Sequence, residues 1–405
     1  MSVLTISHPS SVLEGIIPLS SSKSESNRAL VMQALSDGKI QLENLAEARD
    51  TQTMIRLLQS TENVLDVLDA GTTMRFLTAF CTLKRNNVTL TGTERMQQRP
   101  IAILVDALRT LGAKIDYLKN EGFPPIHIHS FSQVTEKVAV RGDVSSQYIS
   151  ALLMIAPCLP KGLQIELVGE IASRPYLEMT LELLAHFGIR HEWKSQTIII
   201  PAQAYQANRY VIESDWSGAS YWFSMAALSN KSSLKLLHLR EKSLQGDRII
   251  VEIASMLGVK SSFSNDGVLL TKSPTQNSFE FDFSDCPDLA QTVAVMCAGL
   301  GIRGRLTGLK SLRIKETDRI AAIQTELQKL GANVEVEGDE AILIHAGKLN
   351  LAPKTVIQTY DDHRMAMAFA PLALFAPIRI EHPDVVKKSY PSFWEHLNIV
   401  GFQMD

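Results

Sequence analysis

Hydrophobic and polar positions repeat along this chain with a period of about 70 residues. The recurring pattern predicts an amphipathic helix that ends in an apolar residue and Gly, followed by two segments that alternate like strands. Gly just past the last turn is a common end of a helix. Copies begin LGAKIDYL at Leu111, FGIRHEW at Phe187, LGVKSSFS at Leu257 and LGANVEVE at Leu330, with shorter traces at Ser60 and Gly401.

A second kind of helix recurs with the same period. It begins with small polar residues and is then apolar nearly all round, which predicts burial inside each domain. The interval between the first two copies is shorter by about 25 residues, which leaves one strand pair of the first unit in doubt. Six units of this kind predict an α/β protein of two domains with three units each. The second helices begin near Ser24, Gly71, Ser145, Ser217, Asp288 and Asp362.

Composition excludes several classes of protein. The 405 residues exceed a single compact core, and 45% hydrophobic with 20% charged residues is typical of a globular chain. A formal net charge of −3 argues against a broad nucleic-acid-binding surface. The four Cys form no CxxC pair, the N-terminal segment lacks the features of a signal peptide, and the apolar run at 365–378 is interrupted by two prolines. We therefore expect a cytoplasmic protein that binds neither nucleic acid nor a membrane.

Basic residues cluster where the predicted helices begin. A cation is unfavourable at the positive end of a helix dipole unless an anion joins it. Solvated surface charge would explain one such residue, but recurrence at equivalent points of several units favours a bound anionic substrate. The residues are Lys23, Arg28, Arg99, Arg174, Arg248, Lys315, Arg319 and Arg364.

Six ordered motifs carry a family resemblance. They are SKSESNR at 22–28, LDAGTTMR at 68–75, TGTERMQQRP at 91–100, SSQ at 145–147, KETDR at 315–319 and DDHRMAM at 361–367. With them the chain resembles the 5-enolpyruvylshikimate-3-phosphate synthases, a family of enolpyruvyl transferases, over nearly its whole length. The resemblance implies two hinged domains of three similar α/β units each, of the inside-out α/β barrel type, with the active site in the interdomain cleft. It assigns the catalytic acid/base residues and part of the phosphoenolpyruvate site to a domain of residues 1–20 and 214–405, and most shikimate-3-phosphate contacts to residues 21–213.

The family's activity implies transfer of the enolpyruvyl group of phosphoenolpyruvate to the 5-hydroxyl of shikimate 3-phosphate, with release of phosphate. This step belongs to the shikimate pathway, which leads to chorismate and the aromatic amino acids. The resemblance further implies no metal and no organic cofactor, and glyphosate as an inhibitor. We expect a monomer, because the sequence shows neither a coiled coil nor a long exposed apolar stretch.

The resemblance also implies roles for individual residues. Asp288 is similar to the family's base for the hydroxyl, Glu316 to the acid/base at the enol methylene, and Lys23 to a third catalytic residue. Plain helix caps remain an alternative for Asp288 and for the SSQ segment. Shikimate-3-phosphate contacts are implied at Lys23, Ser24, Arg28, Ser145, Ser146, Gln147, Ser173, Tyr176, Asp288 and Lys315. Phosphoenolpyruvate contacts are implied at Lys23, Gly71, Arg99, Gln147, Arg319, Arg364 and Lys388.

Two features qualify this interpretation. Asp69 stands where the family more commonly has Asn, which predicts an additional carboxylate beside the anion site at Gly71. The alternative activity is that of the related enolpyruvyl transferase that uses UDP-N-acetylglucosamine, which usually carries a Cys just before the Arg-Pro pair. Residues 94–98 contain no Cys, and the KETDR and DHRMAM motifs also favour the shikimate type.

Overall fold

Helices and short strands alternate along the chain as the periodic pattern predicts. The computed structural model describes residues 2–143, 145–352 and 355–405, and the elements below refer to these. The α-helices are α1 (Lys23–Leu35), α2 (Arg49–Gln59), α3 (Gly71–Lys84), α4 (Ala102–Leu111), α5 (Ser146–Ile155), α6 (Arg174–His186), α7 (Trp216–Leu228), α8 (Ile250–Met256), α9 (Ala290–Leu300), α10 (Arg319–Lys329), α11 (His363–Phe369) and α12 (Phe393–Ile399).

The strands are two to nine residues long and pair into six separate sheets. They are β1 (Val3–Ser7), β2 (Val12–Ile17), β3 (Gln41–Glu43), β4 (Val64–Asp66), β5 (Val88–Thr91), β6 (Ala113–Tyr117), β7 (Ile126–Phe131), β8 (Lys137–Arg141), β9 (Leu163–Val168), β10 (Glu192–Lys194), β11 (Thr197–Ile200), β12 (Arg209–Val211), β13 (Lys231–Leu237), β14 (Leu257–Ser264), β15 (Gly267–Thr275), β16 (Ser278–Asp282), β17 (Arg303–Thr307), β18 (Val334–Glu337), β19 (Ala341–Ile344), β20 (Val356–Ile357), β21 (Ile378–Glu381) and β22 (Gln403–Met404).

Five of the sheets share one topology. Each has four strands, with one parallel pair at an edge followed by two antiparallel pairs, as in the order β4-β5-β7-β6. The other four run β8-β9-β11-β10, β2-β13-β15-β14, β16-β17-β19-β18 and β20-β21-β1-β22. The sixth sheet has only β3 and β12, paired in parallel. The repeated α/β units are confirmed, and the strand pair in doubt is missing from the first unit's sheet as the structure describes it. Each of the six sheets is open as far as the described strands show.

The chain divides into two compact units. One contains Met1–Ser21 and Glu213–Asp405, and the other contains Ser22–Ile212. Within each unit, the second helices of the repeats are buried on nearly every face. In α7, for example, every residue except Ser217 is buried. These helices form the cores that the apolar pattern predicts.

The Gly residues that end the first helices have the backbone geometry expected of such stops. Gly112 follows α4 with φ of 113°, and a Cβ at this position would lie 2.1 Å from the carbonyl oxygen of Ser132. Only Gly fits such a turn without moving the backbone. None of the described helices is long and apolar enough to cross a membrane.

Candidate active site

In the unit that contains α10 and α11, one buried arginine joins three carboxylates. Arg319, the first residue of α10, is 2% exposed. Its Nε donates to Asp362 at 2.7 Å, its Nη1 to Asp288 at 3.0 Å and its Nη2 to Glu316 at 2.8 Å. Asp288 and Glu316, the residues implied as base and acid, are thus both bound to Arg319, which is itself an implied phosphoenolpyruvate contact.

Two further cations extend this network. Arg364, in the first turn of α11, places Nη2 2.8 Å from the second carboxylate oxygen of Asp288. The ammonium of Lys388 lies 3.6 Å from Glu316. Arg364 and Lys388 are both buried, so water and salt weaken the attraction in these two pairs less than they would at the surface. The structure therefore joins five predicted residues of this unit in one connected cluster: Asp288, Glu316, Arg319, Arg364 and Lys388.

Opposite charges keep Asp288 and Arg319 ionised despite burial. Burial alone would raise the pKa of Asp288, but Arg364, Lys315 and Arg319 lower it far below its ordinary value. Burial likewise opposes the charge of Arg319, but the carboxylates of Asp362, Glu316 and Asp288 outweigh that effect and raise its pKa. Asp288 is consequently a carboxylate that accepts two charged hydrogen bonds, and the alternative of a plain helix cap is wrong: the N-cap residue of α9 is Leu289.

A further buried carboxyl, Asp247, lies in the same electrostatic environment. It is 3% exposed, accepts a hydrogen bond from the hydroxyl of Ser217, and belongs to the 3-10 helix Gly246–Ile249. Burial and then repulsion by Asp288 raise the pKa of Asp247 to about 7. Asp247 directly precedes Arg248 at one of the recurring helix starts, and its position there is the only sign of it in the sequence.

In the other unit, Arg28 is fully buried in α1 and held from several sides. Its Nε donates to the hydroxyl of Thr180 at 2.8 Å and its Nη1 to the Ser24 carbonyl oxygen at 3.0 Å. Its guanidinium also lies over the rings of Phe76 and Tyr176, at 5.4 and 5.6 Å from their centroids. Burial lowers its pKa to about 10, which leaves the side chain charged at neutral pH. Arg28, Ser24 and Tyr176 are therefore neighbours, as predicted for shikimate-3-phosphate contacts.

Gly71 and Arg99 are in close contact. A Cβ at Gly71 would lie 2.6 to 2.8 Å from the guanidinium atoms of Arg99, closer than a real Cβ approaches. Arg75 supports this contact, since its Nη1 donates to the Gly71 carbonyl oxygen at 3.2 Å and its Nη2 to that of Pro100 at 2.7 Å. The absent side chain of Gly71 therefore makes room for a buried cation at the start of α3.

The SSQ segment lies beside the same end of α3. The Ser145 side chain caps α5 by accepting from the backbone N–H of Gln147, and the Gln147 side chain donates to the Thr72 hydroxyl at 3.1 Å. Ser146 is buried in the first turn. Ser173 precedes α6 with φ of 55°, a left-handed backbone that few residues other than Gly adopt, and does not cap that helix with its side chain. The helix-cap alternative therefore holds for Ser145, which can cap and still face an anion.

Two salt bridges of this unit were not foreseen from the sequence. Lys23 pairs with the buried carboxylate of Asp50 at 3.3 Å. Asp69, expected as an additional charge beside the anion site, is held by Arg49, whose Nη2 lies 3.0 and 2.9 Å from its two carboxylate oxygens. The additional carboxylate of Asp69 is thus paired with a cation.

The raised pKa of Asp247 gives a prediction for stability. The folded state retains a proton that the unfolded chain loses at an ordinary pKa of 3.8, so the free energy of unfolding decreases as pH rises from about 4 to about 7. The substitution Asp247→Asn should flatten this decrease, by at most about 4 kcal/mol, because the amide does not ionise. Urea unfolding at about pH 5 and about pH 8 measures it, with the exposed Asp339→Asn as control. Equal slopes for wild type and Asp247→Asn would contradict the prediction.

Comparison with known proteins agrees with this geometry. The family model for EPSP synthase (3-phosphoshikimate 1-carboxyvinyltransferase) matches residues 7–62 and 56–397. A 3-phosphoshikimate 1-carboxyvinyltransferase of Bacteroides fragilis is 48% identical over 400 residues, covering 98% of this chain and 97% of the relative, and one of Haemophilus influenzae is 36% identical over 419 residues, covering 95% and 96%. The fold also matches an EPSP synthase structure from Acinetobacter baumannii over 100% of both chains, with a TM-score of 0.77 and 19% identity. These findings do not support the UDP-N-acetylglucosamine alternative, and the chain belongs to the EPSP synthase family.

Proposed function

We propose that this chain transfers the enolpyruvyl group of phosphoenolpyruvate to the 5-hydroxyl of shikimate 3-phosphate. The observation that carries the proposal is the Arg319 cluster, in which two carboxylates share buried cations in a member of this family. The reaction needs a base for the hydroxyl, an acid for C3 of the enol, and cations for the anionic groups. Asp288 and Glu316 supply the first two, and Arg319, Arg364 and Lys388 supply the third.

In this proposal the acceptor oxygen bonds to C2 of phosphoenolpyruvate while its proton passes to Asp288. Glu316, in its protonated form, gives a proton to C3 and takes one back when the C2–O bond to phosphate breaks, which restores the double bond. The leaving phosphate takes the proton held by Asp288, so both carboxyl groups return to their starting states. In the absence of substrate, the arginines lower the basicity of Asp288. When Arg319 and Arg364 turn to the phosphate and carboxylate of the substrate, Asp288 loses part of this stabilisation and becomes a stronger base.

We assign binding of shikimate 3-phosphate mainly to the unit of Ser22–Ile212. Arg28 and Lys23 are its cations, and Ser24, the SSQ segment, Ser173 and Tyr176 line the same group of helix starts. Gly71, Arg99 and Gln147 are proposed to join Lys23 in binding phosphoenolpyruvate. Lys315 of the other unit is the remaining cation on the acceptor side. A cytoplasmic location and a monomeric state belong to the same proposal.

The acceptor specificity can be measured directly. Incubated with phosphoenolpyruvate, the protein should release inorganic phosphate when shikimate 3-phosphate is added, and not when UDP-N-acetylglucosamine is added. The reason is that the acid/base pair and cations are those of the shikimate-type motifs. Phosphate release with the nucleotide sugar alone would overturn the proposed function.

The role of Asp288 gives a second prediction. Asp288→Asn should lower kcat by roughly two to four orders of magnitude, the usual scale of a general base, because the amide cannot accept the hydroxyl proton. Affinity for shikimate 3-phosphate, measured by calorimetry, should change little since shape and hydrogen-bonding reach are kept. The nearby exposed Asp285→Asn is the control and should retain its turnover. Near-normal kcat in Asp288→Asn would reduce this residue to a structural partner of the arginines.

The third prediction concerns glyphosate, which we propose binds at the phosphoenolpyruvate position and inhibits competitively with it. Gly71→Ala should weaken glyphosate more than phosphoenolpyruvate, because the added methyl lies against the Arg99 guanidinium and narrows the part of the site that the longer ligand needs. Inhibition constants and KM values of wild type and variant, at saturating shikimate 3-phosphate, measure the difference. Inhibition that ignores phosphoenolpyruvate concentration, or that Gly71→Ala leaves unchanged, would place glyphosate elsewhere.

A further inference from the structure

The salt bridge between Arg49 and Asp69 stands out because neither residue has a role among those proposed above. Arg49 begins α2, and one of its terminal nitrogens contacts both oxygens of the Asp69 carboxylate. The two side chains are 48% and 30% exposed. Ion pairs at such exposure contribute little to stability, so a structural reason for the pair is weak.

The position of Asp69 gives the pair a different significance. Asp69 precedes Gly71 by two residues, so their Cα atoms are at most about 7.6 Å apart. Gly71 begins the 14-residue helix α3 and contacts the Arg99 guanidinium. A carboxylate on a residue this close to Gly71 repels an anion held by Arg99, and salt screens such a short-range repulsion only in part.

The adjacent residue of α2 serves the same part of the unit. Asp50 accepts the salt bridge from Lys23, and its carbonyl oxygen accepts a hydrogen bond from the Thr73 hydroxyl at 3.3 Å. Consecutive residues at the start of α2 thus contact a proposed anion-binding lysine, the first turn of α3 and Asp69. The start of α2 therefore supplies the charged partners of two residues near the proposed phosphoenolpyruvate site, Lys23 and Asp69.

The loop that carries Asp69 does not depend on the salt bridge for its shape. The Asp66 side chain accepts from the Leu68 backbone N–H at 2.8 Å, and the Leu68 carbonyl oxygen accepts from Thr93 at 3.0 Å. Arg56, also in α2, donates to the Asp66 carbonyl oxygen at 2.8 Å. These bonds hold the loop by backbone groups, so the charge of the Arg49–Asp69 pair can be altered without removing them.

We propose that Arg49 is a positioning residue for substrate affinity, which neutralises Asp69 and thereby sets how tightly phosphoenolpyruvate binds. This inference rests on the proposed function, since it takes the anion beside Gly71 and Arg99 to be phosphoenolpyruvate. Arg49 acts through Asp69 and not by contact with the substrate. The affinity for phosphoenolpyruvate then depends on the summed charge of Arg49 and Asp69.

A double-mutant cycle tests this proposal. Arg49→Ala removes the cation that pairs with Asp69 and should raise KM for phosphoenolpyruvate roughly three- to tenfold, by the Coulomb energy in water between one unit charge and the at least doubly charged phosphoenolpyruvate at about this separation. Asp69→Asn leaves the cation unmatched and should lower KM. Because the double variant removes one charge of each sign, it should return KM to within about twofold of wild type. We expect kcat to stay nearly constant, and the differences in KM to shrink at high salt.

Arg56→Ala is the matched control, since it removes the same charge from the same helix but contacts only the backbone of the loop. It should leave KM near the wild-type value, and circular dichroism of all variants checks that they fold. The proposal is overturned if both single variants shift KM in the same direction, if the double variant does not restore it, or if Arg56→Ala raises it equally. Absence of phosphate release by the wild type would contradict the proposed function instead, so the two failures are distinguishable.

Discussion

The buried guanidinium of Arg319 is the constraint on which the described catalytic cluster depends. Each of its three nitrogens binds a different carboxylate, those of Asp362, Asp288 and Glu316. Three carboxylates this close, one of them fully buried, would repel one another strongly without it, and removing one partner of a buried ion pair typically costs about 3–5 kcal/mol. Arg319 therefore both stabilises the fold here and determines where the proposed acid and base stand.

The repeated α/β unit explains how such a cluster assembles from distant segments. In each unit the helices begin after a short strand or turn, and polar caps fix where they start: Asp318 caps α10 and Asp362 caps α11. The Asp362 side chain both caps α11 and binds the Arg319 guanidinium. In the other unit, Ser22 and Ser145 cap α1 and α5. The repeated unit thus provides several helix N-termini, and the charged and polar residues at those N-termini form the proposed site.

Local patterns made much of this predictable, whereas the choice of partner did not follow from them. The apolar spacing and the terminal Gly residues predicted the six units, because helix period and turn geometry are encoded within a few residues. The pairing of Asp69 with Arg49, or of Lys23 with Asp50, joins side chains 20 and 27 residues apart and depends on how the helices pack. The first repeat shows the same limit. The short interval between its second helix and the next one predicted a smaller sheet, but it did not predict that β3 pairs with β12.

In the proposed mechanism, the ion pairs of the cluster also make substrate binding a condition for proton transfer. A carboxylate bound to two arginines is a weak base, since its pKa lies far below neutrality. The cations that weaken Asp288 are the groups we propose as ligands of the substrate's phosphate and carboxylate. Binding therefore withdraws positive charge from Asp288 at the moment when its basicity is needed. Asp247 is coupled to the same charges, because burial and the negative charge of Asp288 raise its pKa to about 7.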